Sequence, residues 1–101
     1  MTETWTKRAS QRLASASGYI AQNFYPAYAT AFRDDVITTA KLACGNPHIG
    51  QIAFKDLDRP EIRKLLCKNR NWWVYYRLKK DCIEILSVKH VLQSVRSPRN
   101  L

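Results

Sequence analysis

Glycine is scarce in this chain of 101 residues: Gly18, Gly45 and Gly50 are the whole supply, and no two stand together. A nucleotide-binding loop needs clustered glycines so that backbone N–H groups can cradle phosphate, and that arrangement is missing. Cysteine is nearly as sparse. Cys44, Cys67 and Cys82 are odd in number, form no Cys-x-x-Cys pair and fall on separate elements, so they read as reduced thiols rather than as a disulfide framework or a zinc site. None has a neighbouring histidine that would make it a nucleophile. No apolar run approaches the length that spans a bilayer. The start, Met1-Thr2-Glu3-Thr4-Trp5, lacks a basic stretch followed by an apolar one, so no signal peptide is expected and the chain reads as cytoplasmic. Internal repeats and low-complexity segments are absent as well.

The last shortage is of negative charge. Eight acidic residues stand against 17 basic ones, a formal net charge of +9. The excess is uneven. Up to Gly50 there are five basic and three acidic residues, and from Gln51 on there are twelve and five. The second half therefore reads as the part that meets a polyanion or an acidic protein. A solvated basic surface kept for solubility is the plainer alternative.

What is present is a globular composition, 46% hydrophobic and 25% charged, of single-domain size. Glu3–Trp5 reads as a short strand and Thr6 as a helix N-cap. Ala9, Leu13, Ala16, Ile20 and Phe24 then recur at spacings of three and four, one apolar stripe of a helix over Lys7–Asn23. Pro26 suits the first turn of a second helix, whose stripe is Ala29, Phe32, Val36, Ala40 and Ala43, and Gly45-Asn46-Pro47 ends it. The pair forms an antiparallel helical hairpin. His48–Pro60 reads as a charged loop. Ile62–Lys68, Trp72–Leu78 and Cys82–Val88 read as strands, joined by turns at Asn69–Asn71 and Lys79–Asp81. The expected class is α+β in the order β-α-α-β-β-β, a mainly antiparallel sheet with the helical hairpin on one face. The domain spans residues 1–96, and 97–101 is expected to be a flexible tail. In the strand Trp72–Leu78, alternation sends Trp72, Val74, Tyr76 and Leu78 to one face and Trp73, Tyr75 and Arg77 to the other. Both faces carry large apolar groups but the helices cover one, so the second invites a partner chain.

Several segments together resemble the RelE/ParE superfamily of type II toxin–antitoxin toxins. They are Trp5-Thr6, the hairpin with Tyr19-Ile20, Asn46-Pro47-His48-Ile49-Gly50 in place of the family's Pro-x-x-Gly turn, Glu61–Leu65, Trp73–Leu78 and Ile83–His90. The resemblance covers nearly the whole chain. It implies one of two activities: ParE-like members poison DNA gyrase, and RelE-like members cleave mRNA on the ribosome. Fold alone does not choose between them.

A metal-free ribonuclease must activate a 2′-hydroxyl, stabilise phosphorane charge and protonate the leaving oxygen. Arg63, Lys64, Arg77 and His90 are the available set, with the arginines to clamp phosphate and His90 to move a proton. The tyrosine usual near the C-terminus of RelE-like nucleases is missing, since none follows Tyr76, and Leu65, Leu66 and Cys67 interrupt the basic array. The expected arginine three residues after the terminal histidine of ParE-like chains is replaced by Gln93. The closer resemblance is to ParE, which implies a gyrase poison with no catalytic residue, no metal and no cofactor. Candidates for meeting the target are Arg63, Lys64, Lys68, Arg70, Arg77, His90 and Arg96. Candidates for meeting a cognate antitoxin are Leu13, Ile20, Phe32, Trp72, Trp73 and Tyr75. The aromatics beside Arg70 and Arg77 could alternatively stack nucleic-acid bases, although strands of this kind need aromatics simply to pack. The implied antitoxin binds through an acidic amphipathic segment, and promoter DNA is met only through it.

Overall fold

The computed structural model describes residues 2–56 and 59–101. Strand β1 (Thr2–Trp5) is followed by helices α1 (Lys7–Asn23) and α2 (Pro26–Gly45). Strands β2 (Gln51–Asp56), β3 (Arg59–Leu66), β4 (Trp72–Leu78) and β5 (Cys82–His90) come next, and a 3₁₀ turn at Pro98–Asn100 closes the chain. The strands form one five-stranded sheet in the order β1-β5-β4-β3-β2. β1 runs parallel to β5, and every other pairing is antiparallel. The class is α+β, as the pattern of periodicities requires.

Both helices form where the sequence places them. The Thr6 hydroxyl accepts the Ala9 N–H at 3.0 Å and so satisfies one orphan donor of α1. Pro26 opens α2, where its missing N–H costs nothing. The α2 stripe is buried throughout, and Phe32, Val36, Ala40 and Ala43 pack with Ala9, Val74, Tyr76, Ile83, Ile85 and Val88 in the main core. Leu13, Ala16 and Ile20 lie against that core, but Phe24 does not: it stands outside the last turn of α1, exposed.

Three expectations change. The segment His48–Pro60, read as loop, contains β2, the edge strand of the sheet. Its polar residues hide the alternation, and its pairing with β3 shifts register between Ile52 and Phe54 and again between Phe54 and Asp56. Irregular, charged edges of this kind resist pairing with other chains. Leu57 and Asp58, part of the same expected loop, lie outside the described residues. β3 ends at Leu66 rather than Lys68, because the Asp35 carboxylate accepts the Lys68 and Asn69 N–H groups at 3.0 Å each and turns the chain there. Arg70 completes that turn with φ 64.

The third change concerns the second face of the sheet. The alternation along β4 is as expected, but the chain supplies its own cover. After β5 the segment from Val91 returns beneath the sheet, and Val95 and Leu101 pack with Ile62, Tyr75, Trp73, Phe54 and Leu86. Leu101 is 4% exposed, and the Arg8 guanidinium donates to its main-chain oxygen. The tail expected to fray is thus held at its last residue.

Candidate functional site

β3 places Arg63 and Lys64 on opposite faces, as neighbours in a strand must be. Arg63 pairs across the ladder with Tyr76 on the helix side, and Lys64 with Tyr75 on the outer side. Each arginine of the expected set is already engaged. Arg63 donates through Nη1 to the carbonyl oxygens of Gly50 at 2.6 Å and His48 at 3.2 Å, and through Nη2 to Glu61 at 3.4 Å. It is a staple for the loop between α2 and β2 rather than a free cation.

That loop contains the Pro-x-x-Gly segment, and its geometry explains the spacing. The Tyr76 hydroxyl donates to the Pro47 carbonyl at 2.7 Å and accepts the Gly50 N–H at 3.0 Å. A Cβ on Gly50 would fall 2.6 Å from that hydroxyl and 2.8 Å from the Lys64 carbonyl oxygen, so any side chain here displaces the strand. Burial pushes the Tyr76 pKa up, with Gly50 and Arg63 pulling the other way. The hydroxyl therefore stays protonated and donating. This is a structural clasp, and it absorbs two residues, Arg63 and Tyr76, that chemistry would otherwise want.

On the outer face, the Lys64 ammonium lies 4.3 Å from the Trp73 ring centre and 5.9 Å from that of Tyr75. These are cation–π distances. Arg77 faces Glu84 at 3.9 Å, and Lys79 takes the other oxygen of the same carboxylate at 3.2 Å.

His90 is on the helix side. Its ring meets Trp72 edge-on, centres 5.0 Å apart, and Trp72 in turn lies against Phe32. Its Nδ1 accepts the Leu92 N–H at 3.1 Å, and its own N–H donates to Gln93 at 2.7 Å. The residue closes β5 and starts the returning tail, which is the strand-end role that competes with proton transfer.

The four residues expected of a nuclease are therefore not brought together. Arg63 and His90 lie on one side of the sheet, Lys64 and Arg77 on the other. On the shared side, Arg63 sits opposite Tyr76 and His90 opposite Trp72, on either side of β4 and offset by four positions, about 13 Å, along it. Lys68 and Arg70 are exposed at the β3–β4 turn. The Val91 N–H donates to the Asn71 carbonyl and brings the end of β5 to that same edge, while Arg96 is exposed on the tail.

Of the residues expected to meet an antitoxin, Phe32 and Tyr75 are each only 4% exposed. Phe32 belongs to the main core and Tyr75 to the outer cluster, so neither presents a free surface. Leu13, Ile20, Trp72 and Trp73 are partly buried against those clusters. The large apolar surface lies elsewhere, at the tip of the helical hairpin. Tyr19, Phe24, Tyr25 and Tyr28 are all exposed there, Tyr25 at 66%, in two edge-to-face pairs. The signal was legible: no charged residue occurs from Tyr19 to Tyr28, and four aromatics in ten positions exceed what a helix break needs.

Among the described residues no three His, Cys, Asp or Glu side chains gather as a metal site requires. Cys67 is buried, and desolvation pushes its thiol up to about 11, against the opposing hydrogen bond with Thr39. It is a packed, protonated side chain, not a nucleophile. No helix among the described residues is long and apolar enough to cross a membrane.

The fold is similar to a chain of the chromosomal ParDE toxin–antitoxin system from P. aeruginosa, with a TM-score of 0.74 and 20% identity over 90% of this chain and 96% of that one. A search of curated proteins gives no match. The model of the ParE toxin of the type II toxin-antitoxin system parDE matches residues 4–94, and with that extent of agreement the chain belongs to the ParE toxin family.

Proposed function

We propose that this ParE-family toxin inhibits DNA gyrase, stabilises its cleavage complex with DNA and so blocks replication, without catalysis of its own. The observation that carries the reading is the dispersal of the nuclease set. A general acid some 13 Å along the sheet from Arg63, and across the sheet from Lys64 and Arg77, cannot share one scissile phosphate with them. Arg63 also spends its guanidinium on the Gly50 loop. What remains is a rigid, strongly basic binding surface, suited to gripping a protein–DNA complex rather than to cutting RNA.

A cognate antitoxin neutralises the toxin in this reading. Its binding segment combines apolar residues, for the aromatic tip of the hairpin, with acidic residues for a surface of net charge +9. Such a segment orders on docking. Gyrase as the target places the protein in the cytoplasm.

The test is supercoiling of relaxed plasmid by gyrase in the presence of purified, antitoxin-free protein, with trapped linear product resolved on the same gel. Inhibition with accumulation of linear plasmid is expected, and His90→Ala should retain most of it. Unaffected supercoiling by a protein that still arrests growth would overturn the proposal in favour of mRNA cleavage on the ribosome. In that case the His90→Ala variant should be inert.

A further inference from the structure

Charged residues make up 25% of this chain, yet none occurs from Leu13 to Phe32, a stretch that covers the second half of α1, the bend and the first turns of α2. Every residue from Gln22 to Tyr28 is exposed, so the bend of the hairpin projects from the molecule. Its exposed rings lie on both sides of the bend. Tyr19 and Phe24 pair edge to face at the end of α1, and Tyr25 and Tyr28 do so at the start of α2.

Above this cap the first charge met on each helix is an arginine. Arg33 lies roughly 10 Å up α2 from Pro26, and Arg12 roughly 16 Å up α1 from Asn23, at about 1.5 Å per residue. The β3–β4 turn adds Lys68 and Arg70, both exposed. That turn is fixed against α2: Asp35 accepts the Lys68 and Asn69 N–H groups, and Tyr28, Ala31 and Asp35 share one depression with Asn69 and Trp72. Asp34 and Asp35 are the acidic residues at this level, and Asp35 has each carboxylate oxygen on a main-chain N–H. Four cations therefore face two carboxylates, one of them engaged. The returning tail starts beside the same turn, where the Val91 N–H meets the Asn71 carbonyl and Leu92 is 86% exposed.

We propose that the bend of the helical hairpin docks on the surface of an anionic lipid bilayer. Tyr19, Phe24, Tyr25 and Tyr28 enter the headgroup level, and Arg33, Lys68 and Arg70 meet the phosphates. Tyrosine suits that level because its ring is apolar and its hydroxyl is wet. The depth agrees as well: an interfacial segment sinks about 5–10 Å, and the charge-free cap is of that height before Arg33. The long basic side chains then reach up to the headgroups. Charge complementarity favours lipid, since a chain of net charge +9 is drawn to an anionic leaflet. Shape does too: rings on both sides of a projecting bend need a matching cavity in a protein, but none in a fluid interface. A second copy is disfavoured, because two bends brought together also bring their cations together. The contact goes beyond gyrase inhibition. An antitoxin that covers these rings would end it, so it belongs to the free toxin.

The experiment is co-sedimentation of the purified, antitoxin-free full chain with vesicles of phosphatidylcholine, with and without phosphatidylglycerol. Pelleting with the mixed vesicles, and little with phosphatidylcholine alone, is expected. Phe24→Ser combined with Tyr25→Ser should lower the partition several-fold. Arg33→Gln should lower it about fivefold, the factor for one basic residue near an anionic surface. Lys80→Gln, an equal loss of charge at the opposite end of β4, should leave it unchanged. Tyr25→Trp, a milder change at the bend, should still bind, and its emission should shift to the blue with the mixed vesicles. The proposal fails if the mixed vesicles pellet no protein, if the double serine variant binds as wild type does, or if Lys80→Gln loses as much as Arg33→Gln, which would mean bulk charge alone. It fails too if the lipid-free protein is a dimer that the double variant splits, which would give the bend to a second copy. Loss of gyrase inhibition by the double variant without any vesicle binding would give it to gyrase instead. The vesicle assay contains no gyrase and the supercoiling assay no lipid, so each reading can fall without the other.

Discussion

The two faces of the sheet are closed by different means. The helix face is covered by α1 and α2, elements that form on local signals and bury a continuous aliphatic core of Val36, Ala40, Val74, Ile83, Ile85 and Val88. The outer face is covered by an irregular strap, with Val95 and Leu101 as its apolar contacts and Arg8 gripping the end. One face is packed by secondary structure, the other by a tail whose regular structure is a single 3₁₀ turn. Polar groups divide the same way. On the helix side they are consumed in holding loops, as Arg63, Tyr76 and Asp35 are. On the outer side Lys64 and Arg77 remain partly exposed, where charge can act on a partner, while Lys89 is buried.

The contrast can be broken most forcefully from the core. Ile85→Ala should destabilise the fold by about 2–5 kcal/mol, the range for deleting a buried aliphatic side chain whose neighbours cannot collapse into the space. Gly50→Ala comes next, at about 1–3 kcal/mol, because the added methyl meets a backbone oxygen and a hydroxyl that is itself held at both ends. Leu101→Ala should be milder, about 1–2 kcal/mol, since the strap can shift to close part of the gap. Denaturant midpoints at equal m-values measure all three. An order in which Leu101→Ala exceeds Ile85→Ala would show that the outer face, not the helix face, anchors the fold.

The same contrast explains what the sequence made legible. Helices α1 and α2 and strands β4 and β5 could be read directly, because their caps, stripes and alternation are local and agree with one another. β2 could not, because an edge strand with two register shifts carries turn-like residues and no clean period. The strap was invisible for a different reason: Val95 and Leu101 are two apolar residues in a polar segment, and only the three-dimensional position of Tyr75 and Ile62 gives them something to bury against. What the residues of chemical interest bind could not be read in the sequence. Nothing in Arg63 announces that it will bind the Gly50 carbonyl, and nothing in Asp35 that it will cap a turn more than thirty residues away.

The smallest effect tests the packing of α2 on the sheet through a titration. Cys67 is buried between them, and its thiol is pushed from 9.0 to about 11, chiefly by desolvation. An acid whose pKa is higher in the folded state keeps its proton there while the unfolded chain gives it up. The folded state then binds more protons between the two values, and stability falls as pH rises through that window. By pH 10 the loss reaches about 1.4 kcal/mol, one unit of titration at 1.36 kcal/mol each. Tyr75 and Tyr76 have raised values too and add to the decline only above their ordinary value of 10.0. Lys89, with a lowered value, works in the opposite direction as pH approaches 10.5. The clean comparison is therefore between wild type and Cys67→Ala from pH 8 to 10. The variant should be the less stable at pH 8, where it lacks the packed sulfur. It should then close most of that gap by pH 10, because it has no thiol to hold protonated. A gap that stays constant across the range would mean that the thiol is solvated in the folded state, and that α2 does not seal this side of the sheet.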